Sequence, residues 1–411
     1  MFDIAAVCIV ITALLAYVNH RFFGLPMAIG VMASALALSL VLIGLDTLDM
    51  AHDLRVAQEN FVASIDFSEV LLQGMLSVLL FAAALRVKLH ELKAFRWQIG
   101  ALALLGTLLS TFLVGIALWF AVSIVDLRLS LLECFVFGAL ISPTDPVAVI
   151  GILKSASAPK DLETVITGES LFNDGVGIVI FSLLVGMAIS GDMPATGDAV
   201  HTLIREAGGG LLFGWVLGYV TYRMLRSTNE YKVEVMLTLA AVTGGYALTS
   251  YLHVSGPLAM VVAGLMIGNR GRDEAMTPTS RAYIDMFWGL LDEILNAVLF
   301  VLIGMEALII AFPAQLLLAG AIAILVTLLA RLLSVGLPVA MLGRFINLPP
   351  GSWRVLAWSG LRGGISVALA LSLPAGPSRG TLVALTYCVV VFSILVQGLS
   401  FARVVRRSVG S

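Results

Sequence analysis

The chain has 411 residues, of which 60% are hydrophobic and only 12% are charged. This composition excludes a soluble globular protein and predicts an all-α, polytopic membrane protein. The net charge of −2 is uninformative by itself, and the 3 cysteines lie far apart in apolar runs, which indicates neither a disulfide framework nor a metal cluster.

Apolar runs predict about 13 transmembrane helices in a bilayer about 30 Å thick. The N-terminus lacks the basic region of a cleaved signal peptide, so the first run is predicted to be a retained span. The connecting loops are short, and no soluble domain is expected. The predicted spans are residues 3–19, 25–45, 66–85, 97–125, 129–153, 161–189, 206–226, 232–252, 256–269, 284–310, 314–342, 353–374 and 380–403.

Lysine and arginine are distributed unevenly over the predicted loops. Loops on the side of the C-terminus hold 18 of the 24 basic residues and the opposite side holds 4, while Arg331 and Arg362 fall inside spans. The positive-inside rule therefore predicts an outside N-terminus and a cytoplasmic C-terminus.

The fifth predicted span is interrupted by the segment Ser142-Pro143-Thr144-Asp145-Pro146. Each proline lacks a backbone N–H and clashes with the carbonyl four residues earlier, which frees the carbonyls of Ala139 and Ser142. Irregular backbone is tolerated at membrane depth only where protein buries it or water reaches it. A broken helix with an ionisable side chain therefore predicts an ion site.

The second interruption predicts an internal repeat. The twelfth span contains residues 359–364, Ser-Gly-Leu-Arg-Gly-Gly, at the position that matches the break in the fifth. Interrupted hydrophobic segments at matching positions of two halves indicate the substrate site of a transporter. We expect two inverted six-helix repeats with discontinuous crossing helices: residues 1–190, a linker span in 191–230, and residues 231–411.

Polar side chains share one face of the sixth predicted span, because about 100° separates successive helical residues. They are Glu169, Ser170, Asn173 and Asp174. Oxygens of Asp174, Ser170, Asp145 and the Thr144 region are chemically sufficient for Na⁺. A lone serine or asparagine is as readily a helix–helix contact, but two carboxylates at this depth are costly and predict an ion and proton site.

Arg362 also needs a partner inside the membrane. Arg362 and Glu169 lie at similar predicted depths, about 12 Å from the same end of their spans. We therefore predict a structural ion pair between them. His253 and Arg331 are interpreted as helix-end or packing residues without chemistry. In the tenth span, Asp292, Glu293 and Asn296 predict a polar patch, either a funnel entrance or a dimer contact.

Three motifs in this order resemble the sodium/proton antiporters of the NhaP/NHE type, within the cation:proton antiporter superfamily. They are FGALISPTDPVAV at residues 137–149, GESLFNDG at 168–175 and GLRGGIS at 360–366. The segments LLFAAAL at 79–85 and LNAVLFVLIG at 295–304 extend the resemblance over nearly the whole chain.

The resemblance implies a homodimer in a bacterial or archaeal cell (inner) membrane, acting in pH homeostasis, with a core half that moves as an elevator. Carried over residue by residue, it implies Asp174 as the shared ion and proton carboxylate, Ser170 as a ligand, Asn173 as part of the Asn-Asp pair of electroneutral members, Thr144 and Asp145 at the helix crossing, and a Glu169–Arg362 pair. One departure is Ala82, where many members have a glutamate that supplies a cation ligand.

The resulting hypothesis is exchange of Na⁺ for H⁺ at one shared carboxylate, with Na⁺ at Asp174, Ser170 and Thr144, by electroneutral alternating access. Li⁺ and K⁺ remain open as substrates, and a K⁺/H⁺ antiporter is the alternative. A cation channel would use the same oxygens, and an intramembrane aspartyl protease would use Asp145 and Asp174. The sequence predicts no enzyme, no cofactor and no nucleic-acid partner; the expected partners are monovalent cations, protons, the lipid bilayer and a second copy of the chain.

Overall fold

The computed structural model describes residues 2–46, 74–125, 127–155, 158–190, 204–306, 313–341 and 351–409. Every regular element in these ranges is helical, which confirms the predicted all-α class. Arg55, Arg344, the first part of the third predicted span and the start of the linker lie outside the described residues.

Within each described range, helices follow one another with short connections. Five π-helical turns, at Asn19–Phe23, Ala101–Gly106, Ile204–Gly208, Ile267–Gly271 and Ser393–Gly398, adjoin or join them. The α-helices are α1 (Phe2–Val18), α2 (Met27–Asp46), α3 (Leu76–Arg86), α4 (Leu89–Ala94), α5 (Arg96–Gly100), α6 (Thr107–Ile124), α7 (Leu131–Ile141), α8 (Val147–Ser155), α9 (Lys160–Ser190), α10 (Gly209–Leu225), α11 (Tyr231–Leu252), α12 (Gly256–Met266), α13 (Arg272–Glu274), α14 (Pro278–Glu306), α15 (Ala314–Met341), α16 (Ser352–Trp358), α17 (Gly364–Leu371), α18 (Arg379–Phe392) and α19 (Leu399–Val409).

Each predicted span is mainly helical where the structure describes it, and the fifth and twelfth are interrupted at residues 142–146 and 359–363. By length and composition, 7 helices in this part of the chain can cross a membrane, and three shorter apolar helices accompany them: Met27–Leu42, Leu76–Arg86 and Leu131–Ile141. Four boundaries differ by more than a turn: the first helical run continues to Phe23, the ninth continues to Glu274, α14 starts at Pro278 and the last helix continues to Val409. The count of about 13 spans stays a prediction.

Local sequence signals set two of the helix starts. Ser130 and Glu133 form a capping box at α7, with the Glu133 Oε2 accepting from the Ser130 N–H at 2.7 Å. At α12 the Ser255 side chain caps the helix and Pro257 lies in the first turn, where its missing N–H costs nothing. Helix α12 thus starts at Gly256-Pro257 with both a side-chain cap and a proline in its first turn.

Both interrupted segments are broken helices. The segment at residues 142–146 separates α7 from α8, and residues 359–363 separate α16 from α17. Each half is too short to cross a bilayer by itself at 1.5 Å per residue, so the chain must satisfy the freed backbone groups at the breaks by other contacts.

Small residues let α10 and α12 approach backbone to backbone. Gly210, Gly214 and Gly218 recur every four residues on one face of α10, and an added Cβ at Gly210 would lie 2.6 Å from the Ser255 carbonyl of the facing segment. Such spacing is typical of close helix pairs in membranes. Packing of α12 against α10 and α3 forms a second apolar cluster beside the main core around α7, α15 and α18.

Candidate ion-binding site

The two broken helices meet at their breaks. The Asp145 N–H donates a hydrogen bond to the Leu361 carbonyl at 2.7 Å, so unwound backbone of one segment satisfies unwound backbone of the other. α7 also packs against α9 and α17. The break between α7 and α8, the break between α16 and α17, and the middle of α9 therefore lie together.

Arg362 binds two carbonyls at the first break, one of which, that of Ser142, is freed by Pro146. Its Nη1 donates to the carbonyl oxygens of Ser142 and Pro143, the second at 3.0 Å. The side chain is only 1% exposed, and its Nε and Nη2 have no hydrogen-bond partner among the described residues. The predicted release of the Ala139 carbonyl is incomplete, because this oxygen accepts from the Ser142 N–H at 3.3 Å. A buried guanidinium thus replaces the helical donors that proline removes.

Thr144 is held by two residues of α9. The Asn173 Nδ2 donates to the Thr144 Oγ1 at 2.8 Å, and the Asn173 Oδ1 accepts from the Thr144 N–H at 3.3 Å. The Ser170 hydroxyl donates to the Thr144 carbonyl. The i and i+3 spacing of Ser170 and Asn173 brings both side chains to the same side of the helix. Both amide atoms of Asn173 serve to position Thr144.

Asp174 is buried next to this group. It is 5% exposed, and its Oδ1 has no hydrogen-bond partner among the described residues. Asp145 and Arg362 are the charged groups that act on it electrostatically. A buried carboxylate oxygen without a donor is costly, and a cation or a proton would relieve that cost.

Asp145 lies against Gly363 at the second break. An added Cβ at Gly363 would overlap the Asp145 carboxylate, so glycine at this position leaves the space that the carboxylate occupies. The structure therefore brings together the five residues predicted to bind the ion or proton: Thr144, Asp145, Ser170, Asn173 and Asp174.

The predicted pairing of Glu169 with Arg362 is wrong. Glu169 instead forms a two-pronged ion pair with Arg331 of α15, in which Arg331 Nη2 donates to Glu169 Oε2 at 3.0 Å and Nη1 donates to Oε1. Arg331 also donates to the Leu356 carbonyl at 3.0 Å. Similar predicted depth favoured Arg362 as the partner of Glu169, but Arg362 is engaged at the helix break.

Sequence reasoning missed Arg331 although the signal was present. It stands in the middle of an apolar run, where a charged side chain requires a buried partner. At 6% exposure it is far from a helix-end residue. Its guanidinium lies where a Cβ at Gly360 would stand, so the glycine of the second break also leaves room for this arginine.

Comparison with known proteins agrees with the motifs. A sequence model of the family described as "Sodium/hydrogen exchanger, transmembrane" matches residues 9–407. The chain belongs to the sodium/hydrogen exchanger family. It is therefore a member of a family of integral membrane transporters and not of an enzyme family.

Individual relatives match over nearly their full length. The chain is 50% identical to the Na⁺/H⁺ antiporter NhaP of Pseudomonas aeruginosa, with 99% of this chain and 97% of that protein covered. It is 34% identical to the Na⁺/H⁺ antiporter NhaH of Halobacillus dabanensis, with 91% of each covered. The structure of the sodium proton antiporter MjNhaP1 of Methanocaldococcus jannaschii has the same fold, with a TM-score of 0.69 at 21% identity over 94% of this chain and 99% of that one.

A second polar group in this exchanger-family member lies on α14. Asp292 pairs with Arg86 of α3 and accepts from the Asn296 Nδ2 at 3.0 Å. Arg86 also donates to the Ala82 carbonyl at 3.2 Å. Asp292 and Asn296 are buried, whereas Glu293 is exposed. The predicted three-residue patch is therefore divided, and its buried part fastens α14 to α3.

Proposed function

We propose that this protein exchanges Na⁺ for H⁺ across the membrane, with Asp174 binding each in turn. The observation that supports this proposal most strongly is the buried Asp174 carboxylate, of which one oxygen has no hydrogen-bond donor among the described residues. It lies beside the hydrogen-bonded group of Thr144, Ser170 and Asn173, called the Thr144 cluster below. The names of the relatives, which are Na⁺/H⁺ antiporters, agree with it.

The oxygens around Asp174 suit a monovalent cation. In this proposal Asp174 supplies charge, and the hydroxyl oxygens of Ser170 on α9 and of Thr144 at the first break supply neutral ligands. Asn173 holds Thr144 in register by two hydrogen bonds and is in this proposal a positioning residue. When the cation leaves, the ionised Asp174 carboxylate would be an excess negative charge in a buried site, which is energetically costly. Protonation of the carboxylate removes this charge and avoids the cost.

The charges at the crossing favour electroneutral exchange. Asp145 and Asp174 contribute two negative charges, Arg362 contributes one positive charge, and Glu169 with Arg331 forms a neutral pair. The site thus has one negative charge in excess, which one Na⁺ or one H⁺ neutralises. Exchange by alternating access would then move no net charge in a cycle.

Potassium is the second candidate substrate. Ala82 stands where many relatives, according to the resemblance, have a glutamate ligand, and Arg86 binds the Ala82 carbonyl. With one anionic ligand fewer, the site would select less strongly for a small cation, so K⁺ belongs in every transport assay. A cation channel would instead give a conductance in planar bilayers.

Replacing Asp174 by Asn should abolish exchange, because an amide neither releases a proton nor balances a cation. Everted vesicles that contain a pH-sensitive dye report proton movement when Na⁺, Li⁺ or K⁺ is added in turn. Glu293→Gln, an exposed change on α14, is the matched control and should exchange normally. Proton-coupled Na⁺ flux in D174N vesicles would refute the assignment.

We further propose a homodimer in the cell (inner) membrane of a bacterial or archaeal cell, with a role in pH homeostasis and without a cofactor. The apolar face of the described helices supports membrane placement. Molar mass of the detergent-solubilised protein, measured by light scattering, tests the dimer, and a mass of one chain would reject it.

A further inference from the structure

A cavity of about 300 Å³ opens on the molecule next to the ion site but outside it. One wall is formed by Ile178, Val179 and Ser182 of α9. The opposite wall comes from the turn before α10, the end of α11 and the first residues of α12, and it includes Glu206, Thr249 and His253. None of these residues belongs to the Thr144 cluster.

The lining is suited to hydrated cations. It combines hydroxyl groups with the Glu206 carboxylate and the His253 imidazole, and a polar cavity of this size holds water. A carboxylate in a cleft with low-dielectric walls raises the local concentration of cations. The remaining lining is apolar and includes Ile178, Val179 and Pro257, so the cavity has low-dielectric walls beside its polar groups.

The cavity runs along the face of α9 that continues from the ion site. Ile178 and Ser182 follow Asp174 by four and eight residues, so they lie one and two turns further along nearly the same face. One turn of helix is about 5.4 Å. Ile178, the lining residue nearest to Asp174 in the chain and here called the floor of the cavity, therefore lies about one helical turn from Asp174.

Leu258 stands at this floor. It directly follows Pro257 of the cavity wall, and it packs on α9 so closely that an added Cβ at Gly175 would lie 2.5 Å from the Leu258 Cδ2. Leu258 is 9% exposed, and Gly175 is the neighbour of Asp174 in the chain. An apolar side chain therefore lies between the cavity wall at Pro257 and the residue next to Asp174.

We propose that this cavity is a mouth of the ion pathway and that Leu258, packed on Gly175, closes it from Asp174. The proposal rests on the proposed antiport function. The predicted orientation places the cavity on the outer side, because α9 ends there and the basic loops lie at the other end. Opening this mouth requires Leu258 and Gly175 to separate, which a displacement of α9 relative to α12 provides.

Thiol labelling tests the mouth. In a background with Cys8, Cys134 and Cys388 replaced by serine and exchange retained, Ser182→Cys should react with a membrane-impermeant cationic thiol reagent added to the outer side, and exchange should then be lost. Ser123→Cys, exposed near the end of α6 at the same side, is the matched control and should be labelled without loss. Full activity of labelled S182C would show that the cavity is not an opening of the ion pathway. The same conclusion would follow if S182C reacted only from the inner side or not at all.

A double-mutant cycle tests the barrier. Gly175→Ala should slow exchange in the Leu258 background, because its methyl group presses on the leucine, and should have little effect together with Leu258→Ala. Leu258→Ala alone should speed the decay of an imposed pH gradient in Na⁺-free proteoliposomes, whereas Leu252→Ala, an exposed change on α11, should not. Equal slowing by G175A in both backgrounds, or an unchanged decay in L258A, would remove Leu258 from this role.

The two proposals fail in different ways. Absence of any cation-dependent proton movement in the unmodified protein defeats the antiport proposal. Normal exchange by the unmodified protein, together with unaffected S182C and L258A variants, defeats only the assignment of the cavity and its barrier.

Discussion

Glu169 and Arg331 lie 162 positions apart in the chain, yet each is almost fully buried against the other. The pair is two-pronged, which suits the planar guanidinium and the carboxylate. Burying both charges costs desolvation energy, and removing one partner leaves the other charge uncompensated. The pair therefore links α9 to α15 without adding net charge to the ion site.

Arg331→Ala should destabilise the protein by about 3–5 kcal/mol, because the Glu169 carboxylate stays buried without a partner. The double variant with Glu169→Ala should regain much of this loss. Thermal unfolding of the purified protein in detergent provides the measurement, and Arg354→Ala, which removes an exposed arginine, is the control. A double variant no more stable than R331A would show that the unpaired Glu169 carboxylate is not the cause of the lost stability.

Asn173 offers a second test at the level of one side chain. Asn173→Asp keeps the size of the residue but adds a negative charge next to Asp174, which raises the excess negative charge of the site from one to two. The variant should bind an additional cation or proton and move net charge in each cycle. Exchange that responds to an imposed membrane potential would confirm the change.

Asn173→Ala is the control for loss of positioning alone. It removes both hydrogen bonds to Thr144 and should raise the apparent KM for Na⁺ by about tenfold, equivalent to about 1.4 kcal/mol. Its exchange should stay insensitive to voltage. If N173D exchange were equally insensitive, the proposed count of charges would be wrong.

At the scale of elements, the two helix breaks satisfy each other's backbone polar groups. Arg362 of the second break donates to the Ser142 and Pro143 carbonyls of the first, and the Asp145 N–H of the first break donates to the Leu361 carbonyl of the second. Irregular backbone at this depth is stable because protein groups replace water. Glycines at the second break leave space for the side chains of two other elements, Asp145 at Gly363 and Arg331 at Gly360.

Gly363→Ala should therefore displace Asp145 and reduce exchange strongly, because the new methyl group and the carboxylate cannot share the same space. Gly380→Ala, which meets no atom within 4 Å, is the matched control in the neighbouring α18. Initial rates of Na⁺-dependent proton movement, normalised to the amount of folded protein, provide the readout. Equal rates in the two variants would contradict the close contact.

At the scale of the whole molecule, sequence and packing divide the chain differently. The predicted repeats separate near residues 190 and 231, whereas the second apolar cluster joins α3 of the first repeat to α10, α11 and α12. Both divisions are compatible, because inverted repeats in transporters pack against each other across their interface. The domain boundaries and the inverted symmetry stay predictions.

The orientation in the membrane is a prediction for the whole chain. A cysteine placed at Ser411 in the cysteine-replaced background should react with an impermeant thiol reagent in everted vesicles and be protected in right-side-out vesicles, because the basic loops favour the cytoplasm. A cysteine at Asp3 should show the opposite pattern. Labelling of both from the same side would reject an odd number of spans.

The residue pattern alone predicted the class, most of the helical segments, the two breaks and the candidate ion-site residues that the structure brings together. Apolar length predicts a membrane helix, proline removes backbone donors, and the period of a helix assigns Ser170, Asn173 and Asp174 to one side. These properties are local, so they can be predicted from the sequence without knowing how the helices pack.

Tertiary structure alone decided which buried charges meet. Similar depth along the spans favoured Arg362 for Glu169, but the folded chain places the Arg331 guanidinium of α15 against the Glu169 carboxylate and engages Arg362 at the first break. The contact of Leu258 with Gly175 likewise depends on where α12 crosses α9. Contacts between distant segments depend on helix position and rotation, which the sequence period does not specify.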